Sequence, residues 1–106
     1  KGMALYMAMS GEMISAEEAK QLGLVEKVFA PEALMEETFN FAKKLINLPP
    51  LSLAAIKESV HKGTDQTLEE GLALEAQQFG KLIITKDAKE GVAAFIEKRP
   101  AKFTGQ

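Results

Sequence analysis

No cysteine occurs among the 106 residues, which excludes disulfides, thiolate metal sites and thiol nucleophiles together and fits a reducing, cytoplasmic setting. There is a single histidine, His61, so a Ser-His-Asp triad or a histidine-rich metal site would have to rest on one imidazole. It falls near the end of an expected helix, where a histidine complements the dipole or binds water. The H-E-x-x-H, P-loop and G-x-G-x-x-G patterns are all missing, so no metal is expected. Neither charge sign dominates: 13 basic and 15 acidic residues leave a formal charge of −2, without the electrostatic footprint of a nucleic-acid binder. Long hydrophobic runs are missing too. The uncharged stretch at residues 2–11 falls well short of the about 18 residues that span a bilayer and lacks a secretory-signal layout, which predicts a soluble chain with no membrane partner. No Gly/Ser linker, internal repeat or low-complexity tract divides the sequence.

What is present is the balance of a globular protein, with 46% hydrophobic and 26% charged residues. The length suits one domain, residues 1–106, burying roughly two thirds of the surface its unfolded form would expose. Residues 1–9 read as a helix that is apolar all round, from Met3 to Met9, and so needs cover on every side. That suggests a chain starting part-way through an element whose packing partners lie upstream. Ser15 and Glu18 have the spacing of a capping box, and Gly23 suits the end of the short helix that follows. Residues 24–29, with Val25, Val28 and Phe29, favour a strand, which must pair either with its copy in another subunit or with a sheet edge outside this sequence.

Pro31 at N1 opens a longer helix with a buried stripe of Leu34, Met35, Thr38, Phe41, Ala42, Leu45 and Ile46, ended by Leu48-Pro49-Pro50. A helix at residues 51–61, with Ala54, Ala55 and Ile56 for close packing, is closed by Gly63. Thr67 and Glu70 form a second capping box, opening a helix with the stripe Leu68, Leu72, Ala76, Phe79 and Leu82 or Ile83. Thr85 caps the last helix, where Val92, Phe95 and Ile96 are expected to face inward until Arg99-Pro100. The tail, residues 101–106, is expected on the surface. The fold class is all-α, a small orthogonal bundle of about six helices with one short strand.

Three acidic doublets, Glu17-Glu18, Glu36-Glu37 and Glu69-Glu70, look like paired carboxylates, but helix neighbours point about 100° apart and cannot share a substrate. They read as caps and solvated faces. Glu75, close to the buried stripe, would have a raised pKa if buried and could then act as an acid or base; the plainer role is bonding helix-end amides or a lysine. Phe95, Lys98, Arg99 and Lys102 gather at and beyond the end of the last helix. Phe95 and Lys98 are three apart, so an aromatic plane and an ammonium could meet a nucleotide's base and phosphate. The ordinary reading is that such cations complement the dipole and such an aromatic joins the core.

Four stretches, in this order, resemble the C-terminal part of the crotonase superfamily, the enoyl-CoA hydratases and isomerases. They are Met9-Ser10-Gly11-Glu12-Met13-Ile14-Ser15-Ala16-Glu17-Glu18-Ala19, then Gly23-Leu24-Val25-Glu26-Lys27-Val28, then Leu48-Pro49-Pro50 with Lys57, and Glu90-Gly91-Val92-Ala93-Ala94-Phe95-Ile96-Glu97-Lys98-Arg99-Pro100. The resemblance implies that the oxyanion-hole amides and acid/base carboxylates, which serve enolate stabilisation and proton transfer in that family, lie in an earlier spiral domain. No catalytic residue would then be supplied here. Residues 1–30 would pack on that domain, with residues 23–29 as the docking strand.

The resemblance further implies that these helices build trimer contacts, within a trimer or dimer of trimers, and that the chain end reaches coenzyme A. Phe95 would line the adenine side and Lys98 would approach the phosphates of an acyl-CoA thioester, with no covalently bound cofactor. Ile83 stands where some relatives place a tyrosine near the acyl group. Two readings follow: a C-terminal domain giving an acyl-CoA enzyme its assembly and coenzyme contacts, or an autonomous oligomerisation or adaptor module derived from such an enzyme. On either, exposed apolar segments predict a dimer or larger assembly of this chain.

Overall fold

The computed structural model describes residues 1–106. It is all-α: α1 (Gly2–Ser10), α2 (Ala16–Gln21), α3 (Pro31–Ile46), α4 (Pro50–Gly63), α5 (Leu68–Leu82) and α6 (Lys86–Glu97). The chain divides into two compact units, Lys1–Phe39 and Asn40–Gln106. No helix is long and apolar enough to cross a membrane.

In the first unit the local signals act as the sequence predicts. The Glu18 amide donates to the Ser15 hydroxyl (3.2 Å) while the Ser15 amide donates to the Glu18 carboxylate (2.8 Å), so the box satisfies both ends of the first turn of α2. These bonds hold Glu18 below its ordinary carboxylate pKa, the Ser15 amide first and its hydroxyl second. Gly11 and Gly23 follow α1 and α2 at φ +66 and +73, the left-handed region that only glycine enters cheaply. Residues 24–29 form no strand. A lone extended segment has nothing in this chain to take its backbone bonds, so it runs as bends and irregular backbone.

In the second unit the extensive helix–helix contact joins α4 to α5. Gly63 does not end α4 in a left-handed turn; Thr64, in right-handed geometry, is the cap. Its value lies across the interface, because a side chain built at Gly71 of α5 would meet the Gly63 carbonyl at 3.3 Å. Two glycines thus let two backbones approach closely, and Ala55, earlier in α4, is buried. Thr67 and Glu70 cap the start of α5 reciprocally, at 3.3 and 2.9 Å.

The expected inward faces of α3, α5 and α6 are largely open. Only Ala55 (7%) and Ala94 (3%) are buried hydrophobic residues, whereas Leu34, Met35, Phe41, Leu45, Ile46, Leu72, Phe79, Val92 and Ile96 are exposed. Periodicity marks which side of a helix needs cover and says nothing of which polypeptide provides it. In α6 the inner face is instead the polar one carrying Asp87, Glu90, Gly91 and Ala94, at the i, i+3, i+4, i+7 spacing of one helix side. The tail does not lie loose over the surface; it is bound along that face as a strap.

Candidate functional site

Helix α6 starts where the Thr85 hydroxyl accepts the Ala88 amide (3.1 Å) and ends at Lys98, which lies at φ 52, ψ 41. Lys98 is the one non-glycine residue at positive φ, a conformation that crowds a side chain against its own carbonyl. Two amides lock the turn: Lys98 donates to the Phe95 carbonyl (3.3 Å) and Arg99 to the Ala94 carbonyl (3.0 Å). Because regular helix stops at Glu97, the three-residue spacing no longer places Phe95 and Lys98 on one helical face. Both side chains stand out at the same end of α6. Phe95 is 85% exposed and so is no core residue.

The other two cations of the sequence cluster are used differently. The Arg99 guanidinium donates in bidentate fashion to Glu90 (2.6 and 2.9 Å) and through Nε to Glu97 (2.6 Å). The Lys102 amide donates to Glu90 Oε1 (2.8 Å). Arg99 first and this amide second hold the Glu90 carboxyl down at about 2, and Glu90 with Glu97 raises the Arg99 pKa in return. Lys98 enters none of the chain's ion pairs.

Asp87 completes the arrangement. It is only 3% exposed; its two carboxylate oxygens accept the Thr104 amide (2.7 Å) and the Gly105 amide (2.8 Å), and its own amide donates to the Gln106 carbonyl (3.0 Å). A Cβ added at Gly91 would meet the Phe103 ring at 3.6 Å, so the glycine leaves that ring room beside α6. Sequence reasoning missed Asp87, Glu90 and Phe103 as structural anchors. Asp87 in a first turn reads as an ordinary dipole partner, and bonds from a helix to a tail leave no periodicity.

The remaining candidates lie elsewhere. Glu75 is exposed, contrary to the buried carboxylate considered from sequence, and borders an open apolar groove of about 700 Å³ between α4 and α5, lined by Ile56, Val60, Leu68, Leu72 and Phe79. It is the one carboxylate on that groove. His61 is exposed in the last turn of α4, and Ile83 is exposed as the C-cap of α5.

Known proteins share both the sequence and the fold. Residues 1–106 match the family described as enoyl-CoA hydratase/isomerase. The mitochondrial enoyl-CoA hydratase of Pongo abelii is 42% identical over all of this chain and 37% of its own length. The 2,3-dehydroadipyl-CoA hydratase of Escherichia coli K12 is 39% identical over all of this chain and 42% of its own. Among solved structures, enoyl-CoA hydratase subunit I of Geobacillus kaustophilus superposes with TM-score 0.95 at 46% identity, covering 100% of this chain and 41% of that one. The enoyl-CoA hydratase of Bacillus anthracis gives 0.96 at 37% identity, with the same coverage. This chain therefore spans about two fifths of the length of the relatives it matches and, from its first residue to its last, belongs to the enoyl-CoA hydratase/isomerase family.

Proposed function

We propose that this chain is the C-terminal helical part of a cytoplasmic enoyl-CoA hydratase or isomerase acting on acyl-CoA thioesters, and that it supplies subunit assembly and coenzyme A contacts rather than proton transfer or the oxyanion hole. One observation carries the reading: three of the six helices, α2, α5 and α6, are capped by side chains, yet the chain has almost no core of its own, with two alanines as the only buried hydrophobic residues. Such helices are finished locally and open globally, as a domain is when its apolar faces meet other polypeptide. The parent enzyme is a homo-oligomer, a trimer or dimer of trimers, in which these faces are covered.

At the end of α6, Phe95 offers a ring to the adenine and Lys98 a free ammonium to the phosphates. A lysine kept where glycine would fit the backbone at lower cost supports a side-chain role at that position. Catalytic amides and carboxylates come from the rest of the parent enzyme, and Glu75, in an open groove, takes no part in proton transfer. The test is hydration of crotonyl-CoA by this chain alone. No turnover above the uncatalysed rate is expected, whereas turnover comparable to a complete hydratase would overturn the assignment.

A further inference from the structure

We propose that Asp87 and Glu90 are positioning residues for the coenzyme contact: by clamping the strap, residues 99–106, along α6 they hold Lys98 in the left-handed turn that presents its ammonium at the Phe95 end of the helix. This rests on the reading that Lys98 meets coenzyme A. A lysine at φ 52 is sterically disfavoured, and an unrestrained chain end would let it relax into the ordinary helical or extended regions. The chain is restrained from the next residue onward.

Arg99, adjacent to Lys98, is fixed by its planar fork to both oxygens of Glu90, and three residues later the Lys102 amide returns to the same carboxylate. Phe103 comes close enough to α6 that a Cβ added at Gly91 would touch its ring, and Asp87 takes the next two amides. Gly105, at φ +77, comes so close to α4 that an added Cβ would stand 3.1 Å from the Pro50 ring. Asp87 lies in the first turn of α6 and Glu90 one turn later, so two anchors on one side of the helix's first half hold the strap. Little slack remains to reach Lys98. The Glu90 clamp is a charge-assisted bidentate pair, which a lysine at position 99 could not reproduce because a single ammonium cannot span both oxygens in a plane.

The experiment compares steady-state kinetics of the complete enzyme with crotonyl-CoA and with crotonyl-pantetheine, which lacks the nucleotide, for Lys98→Ala, Glu90→Gln, Arg99→Lys and the double variant Lys98→Ala/Glu90→Gln. The expected result is that Lys98→Ala raises KM for crotonyl-CoA about tenfold. Glu90→Gln and Arg99→Lys raise it several-fold in the same direction, the effect falls on KM rather than kcat, and it is absent with crotonyl-pantetheine. The double variant is no worse than Lys98→Ala, because the clamp acts only through that ammonium. An effect of Lys98→Ala with none from Glu90→Gln, or an additive double variant, overturns the clamp and leaves the coenzyme contact standing. Loss of kcat on both thioesters in Glu90→Gln marks a general structural role and overturns it as well. Indifference of Lys98→Ala on both substrates removes the coenzyme contact itself and the clamp with it.

Discussion

Helix α6, with 12 residues, closes on the chain that follows it: Asp87 and Glu90 take up donors from the strap, and a phenylalanine ring covers Gly91. Helix α1, with nine residues, is apolar on every side, has no residue buried and no side-chain cap at its start. Its bonds beyond the helix are local, the Gly11 amide donating to the Met7 carbonyl at 3.1 Å and the Tyr6 hydroxyl to the Glu12 carboxylate. The comparison separates two kinds of surface. Where polar groups converge, as on the inner face of α6, the chain satisfies itself. Where apolar residues gather, as around α1 and along α3, it presents an exposed face that water disfavours.

The largest effect that would break this contrast comes from removing an anchor on the self-satisfied side. Asp87→Ala leaves the Thr104 and Gly105 amides without their acceptor in a half-buried setting and should cost about 2–3 kcal/mol. It would be read as a lowered thermal midpoint and lost exchange protection at those two amides. Unchanged protection would mean that Phe103 packing alone holds the strap.

Next comes the α4–α5 crossing. Gly71→Val pushes a branched side chain towards the Gly63 carbonyl and should destabilise by about 1–3 kcal/mol. Gly80→Ala, in the same helix with open space where the methyl would sit, should stabilise by up to about 1 kcal/mol. If both glycines behaved alike under thermal unfolding at one protein concentration, close approach would not be what Gly71 provides.

The smallest effect is a response to acid. Glu90 is depressed from 4.5 to about 2, so its anchoring is fully present above the higher value and is lost as the pH falls towards the lower. Protection of the Lys102 amide relative to its intrinsic exchange rate should fall across that window while that of the Gly11 amide, bonded to a carbonyl, is kept. Release of Lys102 already near neutral pH would contradict the assigned cause.

The features legible in the sequence are those decided within a few residues. Ser15 with Glu18, Thr67 with Glu70, Thr85, and Gly23 at a left-handed turn all follow from local bonding, so helix number and most boundaries could be read directly. The strand expected at residues 24–29 is absent, because local residue preference favours extended backbone but a ladder needs a second segment, and none in this chain pairs with it. The faces of α3, α5 and α6 were correctly marked as apolar, yet their burial is a property of what surrounds them. At the candidate site, Phe95 and Lys98 stood out by residue type. The carboxylates beneath them did not, since a side chain bonded to backbone amides more than ten residues away leaves no pattern in one sequence.

The most direct test of the uncovered-face account is the solution mass of this chain by light scattering across a range of concentrations. The account predicts a dimer or larger species whose mass rises with concentration, as the apolar faces of α1 and α3 find cover in other copies. A monomer that stays monomeric at high concentration and unfolds in one cooperative transition would contradict it.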